Sequence, residues 1–288
     1  MSDNKIVKAI KEKGKTLEAE MSFFEHLNAL RSHLVRAAIA IAIFISIAGY
    51  FNHFIVHTVI FGPKHADFWT YRMMCKLGDL LHMEGWCVED LNFTIISTEL
   101  GGQFNLVINS CVMTGIIFGF PYLLWELWKF IRPALHEREK KAASGFVFYA
   151  SSLFLIGILF GYFIIAPLSV KFLAGFSASE EIKNTFSISS YLTTVTTLTL
   201  GSGIVFELPI LIYILASLSI LTAKFMRNTR RYAIVIILII AAIITPTPDA
   251  ITMSVVALPL LVLYEIGIWV AAGVERRRAK KDLLASQS

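Results

Sequence analysis

The chain has 288 residues, 56% of them apolar and only 16% charged, with a mean hydropathy of +0.67. Soluble domains are about half apolar and about a quarter charged, so a soluble globular protein is excluded. The net charge of +5 does not point to nucleic acid, because the basic residues sit between apolar runs rather than in one patch.

In chain order, residues 1–20 are polar and lysine-rich and are expected to form a cytoplasmic tail. Phe23, Phe24, Leu27, Leu30 and Leu34 then recur at helical spacing. They predict an amphipathic helix at the inner membrane surface that runs into the first span, or simply the start of that span. Long apolar runs follow at Leu34–Ile60, Gln103–Trp125, Phe146–Val170, Tyr191–Phe206, Tyr232–Pro248 and Ala250–Tyr264. A hydrocarbon core of about 30 Å needs roughly 20 helical residues, so most of these runs are long enough to span it. No cleavable signal peptide is expected, since the first run is far longer than a signal core.

Cytoplasmic loops are enriched in Lys and Arg. Counting alternate segments puts 21 of the 26 basic residues on one side and 5 on the other. The fold predicted is an all-α integral membrane protein with six spans and both termini inside. Its membrane domain covers 21–274, and a basic cytoplasmic tail follows at 275–288. The last two spans are short. Ala233–Ile244 would be only about 18 Å of helix, so a re-entrant hairpin stays open beside two full crossings.

The first outer loop, at about 61–102, is long and carries Trp69, Tyr71 and Trp86, residues that favour the membrane interface. Cys75 and Cys87 would face an oxidising space there, as a disulfide or as two thiols. His53 and His57 have metal-ligand spacing on a helix, but no third ligand can be placed, so ordinary interfacial histidines are the plainer reading.

Ionisable groups inside membrane helices are costly and therefore informative. Glu126 can pair with Lys129 or Arg132, and the role of Glu265 is open. Glu207 stands far from any basic residue, and Gly203, Thr199 and Thr196 share its helical face. Pro209 predicts a kink beside it. This polar stripe faces either a cavity or partner, or a neighbouring helix as packing contact. Asp249 closes the Thr245–Asp249 turn and can cap the next helix. Metalloprotease, nucleophile-elbow and P-loop motifs are missing, so no enzyme, metal or cofactor is expected.

Several patterns occur in a fixed order: EHLNALRSHLVR at 25–36, FPYLLWELWKFIRPALHEREKK at 120–141, FGYFIIAPLSVKFL at 160–173, VFELPI at 205–210, ITPTPDAIT at 244–252 and LPLLVLYEIGIW at 258–269. Together they resemble the TatC family, the core subunit of the twin-arginine protein translocase, over about 23–274. The resemblance implies a concave six-helix bundle in the cytoplasmic (inner) membrane. It further implies binding of twin-arginine signal peptides on folded cargo, and a multimeric complex with TatA and TatB single-span partners. Transport would be driven by the proton-motive force. Glu139 matches the family glutamate that contacts the arginine pair, with Glu137 beside it. Phe130 and Arg31 match an aromatic and an arginine of the same surface. Glu207 matches the glutamate tied to partner-helix docking, near Thr199 and Thr196. Pro63 and Asp249 match outer-side structural positions. One departure is Ala29, which stands where the family carries a second glutamate of the arginine-binding surface. The long loop with Cys75 and Cys87 is another. The alternative reading is a proton-coupled small-solute transporter that uses Glu207. Membrane lipids are the remaining expected partner, and nucleic acid is not one.

Overall fold

A computed structural model describes residues 28, 30–82, 87, 91, 93–131, 145–177, 179, 184–245 and 250–286. The amphipathic stretch before Asn28, Glu137, Glu139 and Asp249 lie outside the described residues.

Long helices dominate. Helix α1 spans Leu30–Tyr50. It is followed by a π-helical turn at Ile55–Ile60 and a 3-10 turn at Gly62–Lys64. Helix α2 (Trp69–Leu81) lies in the long loop, and strand β1 covers Thr94–Ile96. Helix α3 is Gly102–Ile131. Helix α4 (Phe146–Phe160) continues through a π-helical turn, Gly161–Ile165, into α5 (Ala166–Gly175). Strand β2 (Thr185–Ser187) leads into α6 (Ile188–Phe206) and α7 (Leu208–Ser217). The chain ends with α8 (Ala223–Asn228), α9 (Arg230–Ile244) and α10 (Ala250–Ser286).

Among the described residues, five helical segments are long and apolar enough to cross a membrane: Leu30–Tyr50, Gly102–Ile131, Phe146–Gly175, Ile188–Ser217 and Thr252–Ala279. Two expectations need correction. The last helix is not short. It runs unbroken for 37 residues, and the basic stretch from 275 extends it to Ser286 because Arg, Lys, Ala and Leu all favour helix. The fold is also not purely helical. Strands β1 and β2 pair in parallel, Thr94 opposite Thr185 and Ile96 opposite Ser187, and tie the two loops at one end of the bundle together. Three-residue strands leave no readable alternation in a sequence, so only the tertiary contact reveals them.

Helix α9 is short, with 15 residues or about 22 Å of length. A Cβ on Gly201, midway along the α6–α7 span, would lie 3.9 Å from Ile244 at the far end of α9. The α9–α10 hairpin therefore rises only to mid-depth beside its longer neighbours.

Two GxxxG segments explain how the longer helices approach so closely. Cβ atoms on Gly115 and Gly119 of α3 would fall 2.3 Å and 2.7 Å from Ile45 and Ile41 of α1. On Gly157 and Gly161 they would fall 2.7 Å from Phe206 Cβ and from the Leu198 carbonyl of α6. The core therefore forms around backbone-to-backbone crossings. Large apolar side chains such as Ile39, Ile43, Ile156, Ile239 and Trp269 stay exposed on the outside, where a bilayer is their solvent.

Candidate functional site

The structure describes three polar places that the sequence singles out. The first is the end of the bundle where α1 begins and α3 ends. The Glu126 side chain is only 2% exposed there, and its two oxygens are both engaged. Nδ1 of His33 on α1 lies 2.6 Å from Oε2, and Nζ of Lys129 donates to Oε1 at 2.9 Å. Lys129 also sits over the Trp125 ring, 4.3 Å from its centre. A carboxylate buried this deeply persists because both lone-pair directions are satisfied by charged or polar donors. The expected partner Lys129 is confirmed by the geometry. His33 was not foreseen, since it lies 93 positions away. Only the α1–α3 crossing at Gly115 and Gly119 brings it in register. The Phe130 ring stands edge-on to His33 with centres 6.4 Å apart, and Arg31 is exposed two residues before His33. Arg31 and Phe130 thus reach the same end of the molecule, on different helices.

The second place is the bend at Glu207. Helix α6 stops at Phe206, and α7 restarts at Leu208 with Pro209 in its first turn. The bend follows from Pro209, which has no N–H to continue the ladder. The two carboxylate oxygens of Glu207 are buried, and neither has a hydrogen-bond partner among the described residues. The hydroxyls of Thr196 and Thr199 on the same face, and of Ser151 on α4, are likewise buried without partners. The stripe is not uniform. Thr199 is 1% exposed and faces Gly161, and Gly203 packs on Phe154 and Ile158 of α4. Thr199 and Gly203 therefore also make helix-to-helix contact, and Glu207 is the ionisable group among these unmatched side chains. A buried carboxylate without a donor is expensive.

The third place is the opposite end, around Pro63. Pro63 is buried in the 3-10 turn. The buried Tyr71 hydroxyl of α2 lies 2.8 Å from the Pro63 carbonyl and 3.0 Å from that of Pro167, sharing its one proton between them. Tyr162 donates to the Val59 carbonyl at 2.8 Å, and Tyr191 donates to that of Ile60 at 2.9 Å. Helix ends leave their last carbonyls without intrahelical donors. Here three tyrosines from three different elements supply donors to the Pro63, Val59 and Ile60 carbonyls. Burial raises the Tyr71 pKa well above its ordinary value, which keeps this hydroxyl a donor. The sequence places Tyr71 at a membrane interface, but the structure turns it inward as a strut. Cys75 and Cys87 form a disulfide that closes the segment after α2. The His53 and His57 rings lie 4.3 Å apart, tilted on each other.

A fourth cluster, which the sequence did not indicate, joins α10 to the α7–α9 connection. Glu265 receives Arg230 at 2.7 Å, and Glu275 accepts from the Ala223 N–H at 2.9 Å. Tyr264 donates to the Met226 carbonyl at 2.9 Å, and Arg278 reaches the Ser217 carbonyl and Ser219. This gives Glu265 a structural partner 35 positions away.

Comparison with known proteins adds the following. The family model for TatC, the Sec-independent protein translocase protein, matches residues 25–259. A Sec-independent protein translocase protein TatC from Blattabacterium sp. subsp. Periplaneta americana is 36% identical over 261 residues, covering 90% of this chain and 98% of that protein. The TatC protein of Koribacter versatilis is 33% identical over 93% of this chain and 91% of its own length. Among solved structures, a crystal structure of the twin arginine translocase receptor TatC superposes with a TM-score of 0.63 at 30% identity, covering 87% of this chain and 99% of that one. A second, solved in DDM, gives a TM-score of 0.66 at 32% identity and covers 85% and 99% of the two chains.

Proposed function

Because the chain belongs to the TatC family of Sec-independent protein translocases, we propose that it is the receptor subunit that binds twin-arginine signal peptides on folded cargo. In this reading it sits in the cytoplasmic membrane, with both termini and the Arg31–Phe130 end inside and the tyrosine-strutted end outside. Residues 21–274 act as the membrane domain, and α9 with the first part of α10 forms a shallow pair that thins the bilayer beside it. Single-span partners of the TatA and TatB type dock at Glu207, and transport draws on the proton-motive force. No nucleotide hydrolysis is involved.

The observation that carries the partner assignment is the buried carboxylate of Glu207, which has no donor among the described residues, beside Thr196 and Thr199. A partner helix with a polar side chain at that depth supplies the missing donor. The signal-peptide assignment rests on Phe130 and Arg31 meeting at one end, next to the segment that carries Glu137 and Glu139. A surface carboxylate can take a guanidinium in bidentate fashion. Ala29 removes one such carboxylate, so Glu139 carries more of the recognition. Glu126 cannot replace it, because His33 and Lys129 already occupy both its oxygens.

Glu139→Ala is expected to abolish export of twin-arginine cargo in cells lacking another copy, while the protein still inserts. Ala29→Glu is expected to tighten binding of a twin-arginine peptide. Full export by Glu139→Ala would overturn the assignment of that residue. Uptake of a small solute that depends on Glu207, without export of a folded reporter, would instead favour a proton-coupled transporter.

A further inference from the structure

Helix α2 has three distinct faces. At about 100° per residue, Thr70, Tyr71, Met74, Cys75 and Gly78 fall together, and this is the side turned to the bundle. Tyr71 is 1% exposed there and Thr70 is 6% exposed. Trp69, Met73, Leu77 and Leu80 form a second face within about 80° of one another, and all four are exposed. Arg72, Lys76 and Asp79 form the third, also exposed. A helix lying in water does not keep four large apolar side chains in one uncovered row.

The surroundings identify what covers the row. Trp69 stands edge-on to Phe163 of the π-helical turn, with ring centres 5.8 Å apart. The Thr70 hydroxyl donates to the Phe163 carbonyl. These contacts fix the start of α2 against the third membrane-spanning segment. Trp69 also closes an apolar groove of about 500 Å³ lined by Ile156, Leu159, Phe160, Phe163 and Ile164. Ile156 and Leu159 are more than half exposed on the outer side of that span. The apolar row of α2 is therefore continuous with a surface already turned to lipid. The disulfide leaves α2 from Cys75, on the side away from the row. Arg72 and Lys76 flank the row, with no ion pair among the described residues. Their long stems can reach phosphate while the apolar side chains sit in the acyl region.

We infer that α2 is a membrane-surface anchor. Trp69, Met73, Leu77 and Leu80 dip into the leaflet at the tyrosine-strutted end of the bundle, Arg72 and Lys76 hold lipid phosphates, and an acyl chain fills the groove beneath Trp69. The disulfide and the Tyr71 strut fix the helix at the right height and rotation. The anchor couples the loop over Pro63 to the bilayer surface.

The test uses the full chain in nanodiscs of phosphatidylethanolamine and phosphatidylglycerol. Trp69 is made the sole tryptophan by Trp86→Phe, Trp125→Phe, Trp128→Phe and Trp269→Phe. Lipids brominated near the carboxyl end of the chain are expected to quench its fluorescence at least two-fold, and aqueous iodide is expected to have little effect. Asp79→Trp, combined with Trp69→Phe in the same background, is expected to show the reverse. Quenching of Trp69 by iodide and not by bromolipid would overturn the proposal. Quenching by neither would also overturn it, because the row would then be covered by protein. A single replacement of Leu80 by p-benzoylphenylalanine in the otherwise native chain gives an independent reading. Photocrosslinks to phospholipid support the anchor. Crosslinks to a second copy or to another polypeptide, or none to lipid, overturn it.

Discussion

Glu126 offers the sharpest quantitative test of the α1–α3 contact. Its side chain is 2% exposed, whereas those of His33 and Lys129 are 20% and 40% exposed. The three groups therefore respond unequally to truncation. Removing His33 or Lys129 alone leaves the carboxylate the other of the pair and the Tyr122 hydroxyl as donors, and is expected to cost about 1.5–3 kcal/mol, the range for hydrogen bonds to charged groups. Removing both leaves the buried carboxylate with no basic partner, only the Tyr122 hydroxyl, and is expected to cost about 3–5 kcal/mol. Glu126→Ala leaves two polar side chains that reach water, so its cost should fall below that of the double variant. Replacing the trio by His33→Leu, Glu126→Met and Lys129→Leu removes the charge altogether and is expected to recover most of the loss. The chain carries its own reporter for this series. Cys111 is a buried free thiol on the same helix as Glu126, and the other two cysteines are bridged. Reaction of Cys111 with a thiol-specific fluorophore during heating in detergent reads unfolding directly. At about 2–4 °C per kcal/mol for a domain of about 150–250 residues, the double variant should melt about 6–20 °C lower. A triple variant as unstable as the double one would refute the reasoning, because the loss could then not come from a stranded carboxylate.

Three further outcomes are expected. Gly161→Ala puts a methyl group 2.7 Å from the Leu198 carbonyl, a backbone atom that cannot step aside, so it should cost about 1–3 kcal/mol in the same thiol assay. The neighbouring exposed Leu159→Ala should be far milder. Tyr71→Phe removes the hydroxyl that the Pro63 and Pro167 carbonyls share and should cost about 1–3 kcal/mol. Since the folded-state pKa of Tyr71 is raised above its ordinary value of 10.0, its contribution is complete below pH 10 and declines as pH rises beyond it. Melting curves of the Tyr71→Phe variant should therefore lose less stability in that alkaline range than those of the parent. Glu207→Gln removes the desolvation cost of a buried carboxylate and should leave the isolated protein as stable or more stable. The same variant should lower recovery of the single-span partner in co-purification, and an unchanged yield would separate Glu207 from partner docking.

Sequence and structure contributed different things, and the difference follows from the range of each interaction. The sequence by itself determined the membrane environment, the long spans, the shortness of α9 and the bend beside Glu207. These depend on local runs of apolar residues and on one proline, which act within a few turns of helix. The ordered motifs were enough to place the chain among the TatC proteins. Partners separated by tens of positions were not legible. His33 meets Glu126 because glycines on α3 let it cross α1 at backbone distance, and Arg230 meets Glu265 and Tyr191 meets the Ile60 carbonyl only through the packing of elements far apart in sequence. The same holds for the parallel pairing of β1 with β2, whose strands are too short to show a period. Tyr71 and Trp69 mark the limit most clearly. Two residues apart, both read as interfacial aromatics, yet the rotation of α2 buries one as a strut and leaves the other on the outer surface. That rotation is decided by what α2 docks against, which the local sequence does not contain.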